Sequence, residues 1–138
     1  MKILIMGLPG SGKTWLAERL QKHLECAWFN ADEVRKQAND WEFGEEARIR
    51  QARRMRNLAN FEKGCGRTVI CDFVCPTELT RYIFEPDITI WLDTIEEGRF
   101  EDTNKIFERP KEVDLHIDRF ISEEEVINVV NFIAGVHS

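Results

Sequence analysis

Apolar residues fall into short runs separated by longer amphipathic stretches. Lys2–Met6 is such a run, halted at Gly7, and reads as a buried first strand. Residues 14–24 place Leu16, Leu20 and Leu24 four apart, which predicts a helix. Ala27–Asn30 predicts a second strand, 32–37 a short helix, and 39–44 a loop carrying Trp41 and Phe43. A long helix is predicted over 45–63, with Ile49, Ala52, Met55 and Ala59 near one face and Gly64 and Gly66 as its stop. Residues 68–72 predict a third strand, and Pro76 opens a short helix to about Tyr82. Residues 87–93 and 113–117 predict strands four and five. Ser122 and Glu125 form a capping box ahead of Val126, Val129, Val130 and Ile133, a closing amphipathic helix.

Strands alternating with helices predict an α/β fold, a parallel sheet covered on both faces. Ligands in such sheets bind beyond the carboxyl ends of the strands. Gly7, Asn30, Asp32, Asp72 and Asp93 all fall at or just past those ends. The 138 residues suit one compact domain, 1–138, and 43% hydrophobic content is enough for its core. A net charge of −6 argues against nucleic acid as the main partner without excluding it. The apolar start is too short for a signal peptide, and no run approaches the roughly 20 residues of a membrane span. A cytoplasmic protein with no membrane partner is expected. The four cysteines form no C-x-x-C pair and the three histidines lie far apart, so reduced thiols are expected rather than a metal cluster.

Gly7-Leu8-Pro9-Gly10-Ser11-Gly12-Lys13-Thr14 matches G-x-x-x-x-G-K-[ST] at every fixed position, with a strand before it and a helix after. Glycines let the backbone curl so that its N–H groups point at phosphate oxygens, and the helix adds its positive end. Lys13 would meet the β and γ phosphates of ATP, and Thr14 would offer its hydroxyl to Mg²⁺. Asn104-Lys105-Ile106-Phe107 lacks the final Asp of a guanine-reading N-K-x-D, which favours a small-molecule kinase over a GTPase.

Val69-Ile70-Cys71-Asp72 is an apolar strand ending in an acid, so Asp72 is a candidate magnesium ligand, direct or through water. Its other reading is a turn cap before Pro76. Asp32 is a candidate general base for an acceptor hydroxyl, with a helix cap as its alternative. Asp93 reads as structural. Arg48, Arg50, Arg53, Arg54 and Arg56 crowd one helix and cannot all face one way at 100° per residue. Arg48 and Gln51 share a face and are candidates for holding an anionic acceptor, with Phe43 as a stacking surface.

These motifs resemble adenylylsulfate kinase in order and over nearly the whole chain. The phosphate loop is similar to that family's G-L-S-G-S-G-K-[ST], and Asn30-Ala31-Asp32-Glu33-Val34-Arg35 to its D-G-D-N-V-R. Phe43-Gly44-Glu45-Glu46-Ala47-Arg48 followed by Arg53-Arg54 resembles F-S-E-E-D-R and its paired arginines. Phe73-Val74-Cys75-Pro76 with Arg81 resembles F-I-S-P and Arg, and Phe107-Glu108-Arg109-Pro110 resembles Y-E-P-P. The resemblance implies a P-loop NTPase sandwich with a five-stranded sheet of order 2-3-1-4-5. It also implies transfer from ATP to a ribose 3′-hydroxyl, with Asp32 as base. Arg35, Phe43 and Arg48 would contact the nucleotide acceptor, and Phe73 would line its site. The chain departs from the family at Gln51, at Asp72 (Ser in the family) and in a lid between the fourth and fifth strands that is largely missing. There Lys105 is the candidate to replace the lid lysine.

Three readings follow: a kinase of adenylylsulfate or a related nucleotide, a kinase of a modified nucleoside or nucleic-acid hydroxyl, and an ATP-binding protein without turnover. Lys13, Thr14, Asp32 and Asp72 together favour the first two. A homodimer is admitted but not demanded.

Overall fold

A computed structural model describes residues 1–137. The strands are β1 (Lys2–Met6), β2 (Ala27–Asn30), β3 (Val69–Asp72), β4 (Ile88–Leu92) and β5 (Leu115–Ile117). The helices are α1 (Lys13–Leu24), α2 (Ala31–Ala38), α3 (Glu45–Gly64), α4 (Glu78–Phe84), α5 (Glu101–Ile106) and α6 (Glu123–His137). All strand pairs are parallel, in the order β2-β3-β1-β4-β5.

Side chains alternate across the pleat of β1, so its apolar run supplies two cores. Ile3 and Ile5 face α1 and α6 with Leu16, Leu20, Val126, Val129 and Ile133. Leu4 and Met6 face the other helical layer with Val34, Ala52, Met55, Ala59 and Phe84. The register sets Asn30 beside Asp72 and Ile5 beside Asp72's other flank, so the polar ends of β2 and β3 meet next to the end of β1.

Several boundaries differ from the sequence reading. Strands three to five begin one or two residues later than predicted, where inter-strand pairing starts. Pro76 lies before α4 rather than in it; Thr77 caps the helix, and its side chain and that of Thr80 satisfy each other's backbone N–H. Gly64 remains in α3, and Gly66 at φ 76° makes the turn after it. Ala47 and Gln51 take the buried face of α3 in place of Ile49, which is half-buried. Helix α5 was not anticipated: its six residues show little apolar periodicity, and Thr103 is its buried position.

Phe84 is fully buried and meets Phe73 edge-on at a centroid distance of 5.5 Å. Phe84→Ala is expected to cost ~3–5 kcal/mol through lost transfer energy and the cavity left behind, read as a lower urea midpoint with an unchanged slope.

Candidate active site

The loop from β1 to α1 is shaped by glycine. A Cβ on Gly7 would lie 2.6 Å from Ser11 Oγ and 2.7 Å from the Leu92 carbonyl oxygen. Gly12, at φ 100°, caps α1 without a side-chain hydrogen bond, and the first turn holds no acid. The positive end of α1 therefore opens onto the loop. Pro9 and Gly10 form the crest, with Gly98 packed against Pro9. Thr94 Oγ1 donates to the Ser11 carbonyl at 2.8 Å, which pins the loop to the end of β4. Ser11 Oγ is buried and has no hydrogen-bond partner among the described residues.

Lys13 folds back over this loop. Its Nζ donates to the carbonyls of Gly7 and Leu8, each at 3.0 Å. Burial pushes its pKa down to about 8, partly countered by Asp72 and Asp32 and lowered further by Arg99. Carbonyl oxygens are weak partners for an ammonium, and phosphate oxygens are stronger ones.

Asp72 ends β3 and is 2% exposed. Its Oδ2 accepts from Trp28 Nε1 at 2.6 Å. Asn30 Nδ2 reaches both carboxylate oxygens, at 3.1 and 3.2 Å, and Thr14 Oγ1 at 3.1 Å. Asn30 Oδ1 accepts from the Glu33 N–H as the cap of α2, which fixes the orientation of the amide. Burial raises the Asp72 pKa against the pull of Trp28, Asn30 and Lys13, with Asp32 adding to the rise. The Thr14 hydroxyl and the Asp72 carboxylate form an all-oxygen donor pair that suits a hard cation such as Mg²⁺. No cluster of three or more His, Cys, Asp or Glu occurs among the described residues, so waters and phosphate oxygens would complete the shell.

Asp32 is exposed in the first turn of α2, close enough for its charge to act on both Lys13 and Asp72. Beyond it lies an aromatic ring flanked by two cations, Arg35 buried and Arg48 half-buried. Phe43 is half-exposed, with the Arg35 guanidinium 4.4 Å and the Arg48 guanidinium 5.8 Å from its ring centroid. Arg35 Nη1 donates to the Asp40 and Glu42 carbonyls, and Arg48 donates to the Phe43 carbonyl and to Thr103 Oγ1. Both arginines are thus held in place beside the ring.

Some expected contacts fall elsewhere. Gln51 is buried and committed at both ends of its amide: Nε2 donates to the Ala31 carbonyl and Oε1 accepts from Arg54. It ties α3 to α2 rather than joining Arg48 on an open face. Phe73 is 6% exposed and packs in the core against Phe84. Lys105 is exposed on α5; the cation after β4 whose field reaches Lys13 is Arg99. Arg50 and Arg54 both bind Asp40, and Arg53 is exposed. Arg81 braces the backbone, donating to the Cys75 and Glu108 carbonyls. Asp93 accepts from Arg109 and contacts His116. Sequence reasoning overlooked Trp28, Thr103 and Arg99. Trp28 was in reach, since it lies two residues before Asn30 and so on the same face of one strand.

The chain matches the AAA domain family over residues 3–124. It belongs to that family. No curated protein sequence matches it. As an AAA domain it superposes on P-loop kinases of known structure. An APS kinase of Mycobacterium tuberculosis, solved with AMPPNP and APS, is 22% identical with a TM-score of 0.81, covering 96% of each chain. Shikimate kinase from Aquifex aeolicus is 18% identical with a TM-score of 0.70, over 98% of this chain and 97% of that one. A gluconokinase from Sinorhizobium meliloti 1021 is 15% identical with a TM-score of 0.65, over 99% and 91%. At these identities the likeness is one of fold: a five-stranded parallel sheet in the order 2-3-1-4-5, as the sequence resemblance implied. Among the described residues no helix is long and apolar enough to cross a membrane.

The tight approach at Gly7 is directly testable. Gly7→Ala is expected to cost about 1–3 kcal/mol in unfolding free energy, because its Cβ meets a backbone oxygen that cannot give way.

Proposed function

We propose that this AAA domain protein is an ATP-dependent phosphotransferase that moves the γ-phosphoryl group to a hydroxyl of a small nucleotide, with adenylylsulfate as first choice. The observation that carries this reading is the meeting of three groups beside the start of α1, where Gly12 offers no side-chain cap: Lys13, the Thr14–Asn30–Asp72 chain, and Asp32.

In this reading Lys13 gives up its carbonyl partners for phosphoryl oxygens, and the loop amides together with the end of α1 hold the remaining charge. Thr14 and Asp72 would hold Mg²⁺, which supplies charge neutralisation at the transferring group when bound. Asp32 takes the proton from the acceptor hydroxyl. Phe43 offers its face to the acceptor base, and Arg35 and Arg48 offer positive charge beside it. Positioning and electrostatics of this kind carry most of the catalysis in phosphoryl transfer.

The nucleotide acceptor is supported by the pairing of a stacking ring with two guanidiniums, which suits an aromatic anion better than a neutral sugar. A panel of adenylylsulfate, nucleosides, shikimate, gluconate and oligonucleotides, assayed for ADP release, tests it. Turnover with the sugar acids alone overturns the nucleotide assignment. Asp32→Ala should lower kcat by about 10²–10⁴-fold while ATP affinity holds. An unchanged kcat removes Asp32 from the role of base.

The Lys13 shift gives a pH signature. Below about pH 8 the ligand-free ammonium is charged and ready for phosphate. Above it, binding must draw in a proton, so ATP affinity is expected to fall by up to about tenfold per pH unit. Calorimetry in buffers of different ionisation enthalpy should report proton uptake near pH 9 and little near pH 7.

A further inference from the structure

Trp28 sits on β2, an edge strand of the sheet, and is only half-buried. The side chain packs against the α1/α6 core, which accounts for its apolar part. Packing does not account for the N–H. An indole on a half-open edge strand can donate to solvent, yet this one points at Asp72 Oδ2 from 2.6 Å. The register explains how it reaches. Trp28 pairs with Ile70 and Asn30 with Asp72, so Trp28 is the diagonal neighbour of Asp72 on the same face of the sheet.

Two donors thus hold one carboxylate, and they do different work. The Asn30 amide carries two hydrogens; one faces Thr14 and the other is shared by the two oxygens of Asp72. A shared hydrogen leaves the carboxylate free to rock about its Cβ–Cγ bond. The indole N–H is a single rigid donor on one oxygen, and it removes that freedom. It also fills a lone pair of Oδ2, which leaves Oδ1, with Asn30 Nδ2 at 3.1 Å as its partner, the less engaged of the two oxygens.

We infer that Trp28 is a positioning residue for magnesium: its indole N–H locks the Asp72 carboxylate in the orientation that presents Oδ1, alongside the Thr14 hydroxyl, to the cation carried by the nucleotide. This rests on the reading that Thr14 and Asp72 serve the metal. Trp28 touches neither nucleotide nor metal and acts only through Asp72.

The test compares ATP binding with and without the metal. In the unaltered protein, ATP affinity by calorimetry is measured in excess Mg²⁺ and in EDTA, and Mn²⁺ bound with ATP is followed by electron paramagnetic resonance. If the unaltered protein shows no metal-dependent gain, the metal reading itself fails. If it shows a gain that Asp72→Asn leaves intact, Asp72 is no ligand and that reading fails again. Given a gain that Asp72→Asn abolishes, Trp28→Phe keeps the ring and deletes the donor. It is expected to weaken Mn²⁺ affinity about 10- to 100-fold while affinity for ATP in EDTA stays unchanged. An unchanged Mn²⁺ affinity overturns the inference, and so does an equal loss in EDTA, which marks a merely structural residue. Should Trp28→Phe not fold, the unaltered protein answers through its four indole N–H resonances. That of Trp28 should lie downfield and move when Mg²⁺ is added to the ATP complex. A resonance that does not move refutes the locking role.

Discussion

The arrangement depends on one close approach of backbone to backbone. Between β1 and α1 the chain turns back under the end of β4, and at Gly7 there is no space for even a methyl group before the Leu92 carbonyl. That contact seats the phosphate loop against the sheet. It aims the start of α1 at the point where the carboxyl ends of β1, β2 and β3 converge. Without it, Lys13 and Thr14 would still head a helix, but not one facing Asp72.

The buried parallel sheet supplies the stiffness this geometry needs. β1 is paired on both sides and fully buried, so its end has little freedom, and β3 carries Asp72 at a fixed offset beside it. Apolar burial on both faces sets the strand positions, and the polar chemistry is confined to their ends. The cost of placing the Asp72 carboxylate there shows in its raised pKa and is offset by Trp28, Asn30 and Lys13. A group held in that way is ordered before any ligand arrives, which reduces the reorganisation required on binding.

The region around Phe43 is built differently. Phe43 lies between α2 and α3, in a loop braced by two arginines whose donors are spent on nearby carbonyls. Asp40 anchors the same loop through Arg50 and Arg54. Short-range tethers of this kind are rebuilt at less cost than a buried sheet, so this surface is the softer half of the site. Helix α5 is joined to this region through the Thr103 hydroxyl, which accepts from Arg48.

Much of this was legible in the chain itself. Among the described residues, the apolar runs and their spacing located all five strands and five of the six helices, because burial demands a periodic pattern that composition cannot hide. The phosphate loop was legible because few residue types tolerate its backbone. What the sequence could not disclose were the pairings made across the sheet. Gln51 and Phe73 looked available for an acceptor and are instead engaged in the interior, while the charge of Arg99, from beyond β4, acts on Lys13. Trp28 gained its partner only when β2 took its register beside β3. Local pattern determines which element forms, since it acts through neighbours in the chain. Which donor meets which acceptor is decided by tertiary packing, since groups that pair in the site lie as many as 83 residues apart and nothing local refers one to the other.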